Sequence, residues 1–326
     1  MVNKNSYGFD EIKLGDFNID LKGENDDIFI IAASFEERGI AVATYLKDDY
    51  KCKNAIIYYN EDNCNYIKNL TLIKEHLKQR SENEIVVKEG SHRNIQKKNK
   101  IMTEIAEYCK EHMSNGITNI AVDITSFSRI DLIILLDYLV SYIENVKIKL
   151  IYISPEEHGE WLSKGYSEIS NVAGFCGAFD VLKPTALIIL SGFEKERPMN
   201  LIEAYEPQEV FLGFSNPPVQ EAFGERNADS QAELSNYPNV QQFNFSARDI
   251  NECCGNIEKI IKEKIFDYNI VVAPLCTKLT AVACFLLAKK YPEIQLVYCF
   301  PQEYNYETYS IGMSKLFVEY LDDICS

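Results

Sequence analysis

The feature that most constrains this chain is an alternation that runs through it twice. Short runs rich in Ile and Val occur at 27–33 (DIFIIAA), 54–59 (NAIIYY), 84–87 (EIVV), 119–124 (NIAVDI) and 147–153 (KIKLIYI), and they are apolar on both faces. Strands covered by helices on each side have that pattern. Between them, 39–47, 66–79, 93–113 and 129–143 have helical period. Strand and helix in alternation predict an open parallel sheet with right-handed crossovers. The order then recurs, with further strands expected at 186–190 (ALIIL), 209–214 (EVFLGF), 239–243 (NVQQF), 269–273 (NIVVA) and 294–299 (IQLVYC).

The two halves match residue by residue in places. Ser34-Phe35-Glu36-Glu37-Arg38 matches Gly192-Phe193-Glu194-Lys195-Glu196-Arg197, with one insertion before the arginine. The stretch 150–157 (LIYISPEE) matches 296–303 (LVYCFPQE), and Ser163-Lys164-Gly165-Tyr166-Ser167 matches Ser310-Ile311-Gly312-Met313-Ser314. Ordered matches of this kind mark an internal repeat. The expected fold is α/β, with two tandem open parallel-sheet, Rossmann-like domains related by an internal pseudo-two-fold. An N-terminal arm at 1–26 precedes a first domain at 27–180 and a second at 181–326.

Composition narrows the function. Lys and Arg number 33 against 49 Asp and Glu, a formal net charge of −16 in 326 residues. That balance argues against a dedicated binder of duplex DNA or of an anionic membrane surface. No apolar run reaches the roughly 18 residues of a spanning helix, and the polar start is not a signal peptide. A cytoplasmic protein is expected. Its ten cysteines form no C-x-x-C pair and only four histidines accompany them, so reduced thiols and no metal site are expected. No G-x-G-x-x-G, no G-x-x-x-x-G-K-[ST], no G-x-S-x-G and no H-E-x-x-H occurs. No cofactor is expected.

In an open doubly wound sheet, ligands bind outside the carboxyl ends of the strands where strand order reverses. That point joins the loops after the first and fourth strands, and here both are polar. The first carries Ser34, Glu36, Glu37, Arg38 and Gly39; the second carries Asp123, Thr125, Ser126, Ser128 and Arg129. Their counterparts are Gly192, Glu194, Lys195, Glu196 and Arg197, then Thr277 and Lys278. Backbone N–H groups at helix starts, small hydroxyls and a cation make an anion-binding arrangement, and phosphate is the natural ligand. The same residue types also cap helices in most folds. Glu36 and Glu37 suit general acid work or the first turn of a helix. The run His92, Arg93, Lys97, Lys98 and Lys100 could steer a phosphate-rich ligand or form a solvated helix face. Tyr298, Tyr304, Tyr306, Tyr309 and Trp161 could stack on bases or pack between the halves.

The fourth-strand loop, Asp123-Ile124-Thr125-Ser126-Phe127-Ser128-Arg129, resembles the D-x-T-x-G-x-R stretch of CARF domains, which sense cyclic oligoadenylate in type III CRISPR defence. Phe127-Ser128 stands where that family often has glycine and an aromatic. The second-half loop, Ala273-Pro274-Leu275-Cys276-Thr277-Lys278, is similar to the G-G-T-K version of the same loop, with Cys276 in place of a glycine. Family members dimerise about a two-fold and bind one ring-shaped ligand across it. A tandem pair looks like that dimer fused, as in the related SAVED domains.

The resemblance implies a sensor of a nucleotide second messenger, a cyclic oligonucleotide, in prokaryotic antiviral defence. Ser34, Glu36, Arg38, Thr125, Ser126, Arg129, Arg197, Thr277 and Lys278 would bind it. With both sensor folds assigned, signal output would need a separate effector protein or assembly of copies. Three alternatives stay open: a metal-independent ring nuclease, a nucleotide or NAD glycosidase using Glu36 or Glu37, and a scaffold subunit that binds nothing. Whether the protein is an enzyme is therefore undecided by the sequence.

Overall fold

The computed structural model describes residues 12–13, 19, 21, 26–61, 66–91, 94–113 and 117–321. The arm expected at 1–26 falls almost wholly outside them, as do His92 and Arg93 of the basic run. The chain runs β1 (Ile12–Lys13), β2 (Asp26–Ala33), α1 (Ala41–Tyr45), β3 (Cys52–Asn60), α2 (Ile67–Leu77), β4 (Ile85–Gly90), α3 (Ile95–Glu111), β5 (Thr118–Asp123), α4 (Arg129–Tyr142) and β6 (Val146–Ile153). Two short strands follow, β7 (Ser163–Lys164) and β8 (Glu168–Asn171). The second series is β9 (Thr185–Leu190), α5 (Glu196–Tyr205), β10 (Glu209–Ser215), α6 (Glu221–Gln231), β11 (Val240–Phe245), α7 (Ile250–Lys264), β12 (Asn269–Pro274), α8 (Lys278–Lys290) and β13 (Gln295–Phe300). The chain closes with β14 (Glu303–Tyr304) and β15 (Lys315–Tyr320).

Two mixed, mostly parallel sheets result, each flanked by helices. The first has the order β1-β15-β6-β5-β2-β3-β4, the second β11-β10-β9-β12-β13-β8. Both are tandem Rossmann-like arrangements: the first strand of each series is central, and the fourth lies on its other side from the second. All ten strands expected from apolar runs form, nine of them within two residues of the expected bounds, while β4 runs three residues past its expected end.

Packing follows from the alternation. Every residue of β2 is buried. Its Phe29, Ile31 and Ala33 join Ala55, Ile57 and Ala121 from neighbouring strands and Val42, Ile73 and Leu77 from α1 and α2. The helices α3 and α4 pack on each other over the opposite face. There Lys98 and Asp131 form an ion pair at 2.8 Å with both side chains 1% exposed. Lys98 is thus a core residue of α3 rather than part of a solvated basic face. Lys97 is bound to Glu61 and Glu89, each at 2.6 Å, and Lys100 lies 3.9 Å from Glu104. The described part of the basic run is locally neutralised. In the second sheet Leu187, Ile189, Val210, Leu212, Val271 and Val297 form the equivalent layer with Leu201 of α5. No helix among the described residues is long and apolar enough to cross a membrane.

The chain separates into two compact units, residues 1–158 with 310–326, and 159–309. The division falls at two places, where the sequence suggested one cut at 180/181. The cause is antiparallel pairing at each fifth strand. β15 pairs with β6, with Leu316 opposite Ile153 and Tyr320 opposite Lys149. β8 pairs with β13, with Glu168 opposite Phe300 and Asn171 opposite Val297. Each sheet is therefore completed by the segment that follows the fifth strand of the other repeat. Leu316 is fully buried in the first core. Leu316→Ala should cost about 2–5 kcal/mol of the first unit's stability, as cavity-forming core truncations do. Urea unfolding of the full chain, followed by near-UV signals, measures it; an unchanged first transition contradicts the exchanged pairing.

Candidate functional site

Strand order reverses between β2 and β5 in the first unit and between β9 and β12 in the second, each pair being parallel neighbours. The loops at these switch points meet closely. A Cβ on Gly39 would lie 2.0 Å from Ser126 Oγ, and one on Gly192 would lie 2.8 Å from the Leu275 carbonyl oxygen. Glycine at both places is what lets the first-strand loop rest on the fourth-strand loop.

Beneath each first-strand loop lies the same buried cluster. Arg38 is 3% exposed. Its Nε donates to Glu36 Oε2 at 2.8 Å and its Nη1 to the Ile153 carbonyl at 2.6 Å, with the Tyr152 ring 5.6 Å away. Arg197, also 3% exposed, repeats this. Its Nε donates to the Cys299 carbonyl at 2.9 Å and its Nη1 to Glu194 Oε2 at 3.1 Å, over the Tyr298 ring at 4.9 Å. Each glutamate accepts a second bond from a serine: Ser310 Oγ to Glu36 at 2.8 Å, and Ser163 Oγ to Glu194. Burial opposes the charge on Arg38, but Glu36 and Tyr152 outweigh it and raise the guanidinium pKa. The sequence assigned Arg38, Glu36 and Arg197 to a ligand; here Arg38 binds Glu36 and Arg197 binds Glu194, each arginine also holding a strand-end carbonyl beside a ring, and so they position the loops.

Side-chain amides from the helix after the second strand hold the same loops. Asn69 Nδ2 donates to the carbonyls of Ser34 (2.7 Å) and Glu36 (3.0 Å). Gln231 Nε2 donates to those of Gly192 (3.2 Å) and Glu194 (3.3 Å). Neither amide drew attention in the sequence, because an amide on a helix gives no sign of which carbonyl it will meet. The serines did leave a signal, since Ser163 and Ser310 open the third matched segment.

The remaining predicted residues divide by role. Thr125 is fully buried and its Oγ1 accepts from the Ile153 N–H at 3.0 Å. Ser34 Oγ accepts from the Glu36 N–H at 3.1 Å. Ser128 caps α4 through the Asp131 N–H, and Thr277 caps α8 through the Thr280 N–H. Arg129, half-buried, and Lys278, 7% exposed, occupy the first position of α4 and α8. Glu37 is exposed in the turn after β2, and Lys195 reaches Glu233 at 3.4 Å. Cys276 is half-buried in the β12–α8 loop. Tyr304 packs against Tyr306 and Tyr309, and Trp161 lies 4.2 Å from the Lys164 ammonium. No cluster of metal-ligating side chains occurs among the described residues.

Four buried polar atoms at the two switch points have no hydrogen-bond partner among the described residues: Asp123 Oδ2, Ser126 Oγ, Arg197 Nη2 and Gln231 Oε1. Native structures leave few such atoms unpaired, and each calls for an explanation. Asp123 is 1% exposed, with Oδ1 accepting from the Thr125 N–H at 3.0 Å. Burial lifts its pKa to about 7, against the opposing pull of Thr125 and Arg38.

No family model matches the chain, and no curated protein matches it. Among solved structures it has likenesses to the cytoplasmic domain of a prokaryotic cation chloride cotransporter (9% identity, TM-score 0.27, covering 87% of this chain and 99% of that one) and to the N-domain with NADP of a bacterial malonyl-CoA reductase (10% identity, TM-score 0.21, 82% and 78%). A third is an N-terminal ketoreductase from a macrolactin assembly line (9% identity, TM-score 0.21, 81% and 63%). Overlaps this low say nothing about activity or ligand.

Removing Glu36 strands a buried guanidinium, so Glu36→Ala should destabilise the first unit by about 3–5 kcal/mol, the usual cost of breaking a buried pair. Chemical denaturation reads it, and a loss under about 1 kcal/mol would mean the pair is merely a surface one. Asp123 gives a pH signature. Its folded pKa lies above the ordinary 3.8, so the folded state holds the extra proton and stability falls as pH rises from near 3.8 to about 7. Asp123→Asn should remove that component from a melting series across the same range; an identical pH profile would show the carboxyl is not perturbed.

Proposed function

We propose that the protein binds a nucleotide second messenger, a cyclic oligonucleotide, through its switch-point loops, as the sensor of a prokaryotic antiviral defence system. The observation that carries this reading is the set of unpaired buried polar atoms beside the switch-point loops of both units: Ser126 Oγ and Asp123 Oδ2 at the fourth-strand loop of one, Arg197 Nη2 and Gln231 Oε1 beneath the first-strand loop of the other. They surround loops whose backbone is already fixed, which is what a preformed ligand site needs. The resemblance of residues 123–129 and 273–278 to CARF loops supplies the ligand class.

In this reading Ser34, Ser126 and Arg129 meet phosphate in the first unit, and Thr277 and Lys278 in the second. Arg38, Glu36 and Thr125 keep the first unit's loops in place from beneath, and Arg197 does so in the second through Nε and Nη1 while its Nη2 is left for the ligand. Two helices aid the anion, since Arg129 and Lys278 start α4 and α8 and so add charge to the positive end of each helix. A cation at a helix N-terminus is mildly unfavourable for folding alone, by about 0.3–1 kcal/mol.

Isothermal titration with a panel of cyclic and linear di-, tri- and tetranucleotides tests the reading, with mass spectrometry of the same mixtures to show whether ligand stays intact. Tight binding of a cyclic member without turnover is expected; no binding across the panel would refute it. Arg129→Ala should then weaken binding roughly ten- to a hundred-fold, the ~1.5–3 kcal/mol of a charge-assisted contact, while its melting temperature stays within about two degrees. Lower stability with intact affinity would remove Arg129 from the site.

A further inference from the structure

β11 ends the second sheet, and among the described residues no strand pairs with its far side. The carbonyls of Asn239 and Phe245 accept from Val210 and Asn216 on the β10 side. Backbone groups alternate in direction along a strand, so Gln241 and Phe243 face β10 while Gln242 and Asn244 turn their N–H and C=O outward. An exposed row of this kind is a template for another chain, and proteins usually blunt it with charge, proline or a bulge. The first sheet does so. Its edge strand β4 carries Lys88, bound to Glu104, and Glu89, bound to Lys97 and Tyr59. β11 reads VQQFNF and carries neither charge nor proline.

A groove of about 820 Å³ reaches this edge, bounded on one side by Gln242, Phe243 and Asn244 together with Phe214 and Ser215 at the end of β10. Its size lies within the usual range of binding clefts. The opposite wall is α6 and the turn after it, where Gly224, Ala228 and Ala232 present little side chain and leave room for a backbone. Glu221 and Glu225 also line it, and among the described residues no lysine, arginine or histidine does. The wall charge is therefore wholly negative.

We propose that β11 accepts an added strand from a partner polypeptide laid in the groove between β11 and α6, and that this segment is basic. Main-chain bonds to Gln242 and Asn244 would supply affinity, and Glu221 and Glu225 would select lysine or arginine on the incoming strand. A second copy of this chain fits less well. Edge-to-edge pairing of β11 with itself would bring an uncharged strand and another acidic helix, in a protein already at −16. A phosphate-bearing ligand is disfavoured by the same two carboxylates. Strand addition needs nothing from the switch points, so it stands or falls separately from nucleotide binding.

Selection of phage-displayed random octapeptides on the full chain provides the probes. Selected peptides should alternate lysine or arginine with β-branched residues, and should protect the Gln242 and Asn244 amides from hydrogen exchange. Gln242→Pro removes one outward N–H and leaves the ladder to β10 intact, a place where an edge strand tolerates proline. It should weaken the synthetic peptides at least ten-fold. Should that variant fold poorly, Glu225→Lys, exposed on α6, carries the test with the same expected loss. Failure to select any peptide, acidic peptides, binding that leaves these amides unprotected, or affinity indifferent to the substitutions would overturn the proposal. So would a concentration-dependent doubling of mass that Gln242→Pro abolishes, which would show self-pairing instead.

Discussion

The buried guanidinium under each first-strand loop is the interaction on which the rest depends. Taking a cation out of water costs several kcal/mol, and only good geometry with full hydrogen bonding offsets it. Arg38 meets that condition with Glu36, the Ile153 carbonyl and the Tyr152 ring. The bond to Ile153 ties the loop after β2 to the end of β6, two strands away across β5. The loop cannot shift without exposing a charge, so Ser34, Gly39 and Ser126 meet in one fixed arrangement. Arg197 ties the loop after β9 to the end of β13 in the same way.

The two units share this framework and differ in what stands on it. Ladder register places Asp123 opposite Ile31, and Ala273 opposite Ile189. A carboxyl at the end of β5 thus has a methyl as its counterpart in β12. The first switch point can hold or release a proton near neutral pH, and the second lacks that group there. In the second, the unpaired capacity belongs to a guanidinium nitrogen and an amide oxygen. Duplication kept the loops' support and let their chemistry diverge.

Much of the fold was legible because Ile and Val runs and helical period are local signals. β2, β6 and β12 announce themselves by composition alone. The meeting of the first and fourth loops was also legible, since it follows from the strand order that alternating elements adopt. Antiparallel β8 and β15 were not. EISN is short and polar, and nothing in KLFVEY says which sheet it will join. The arginines show the same limit at the site. A cation in a polar loop reads as exposed, and the carbonyls that hold Arg38 and Arg197 lie 115 and 102 residues away. Lys98 was misread for the same reason, its partner Asp131 belonging to another helix.

The exchanged pairing sets an order on biosynthesis. β6 is bordered by β15, so its outer edge stays open until the final strand leaves the ribosome. At ordinary elongation speeds that interval is on the order of ten seconds or more. The nascent first repeat must spend it with Leu150, Ile151 and Tyr152 facing an empty lane, while the complete second sheet forms beside β8 with no such wait. Of the two sheets, the N-terminal one therefore closes last.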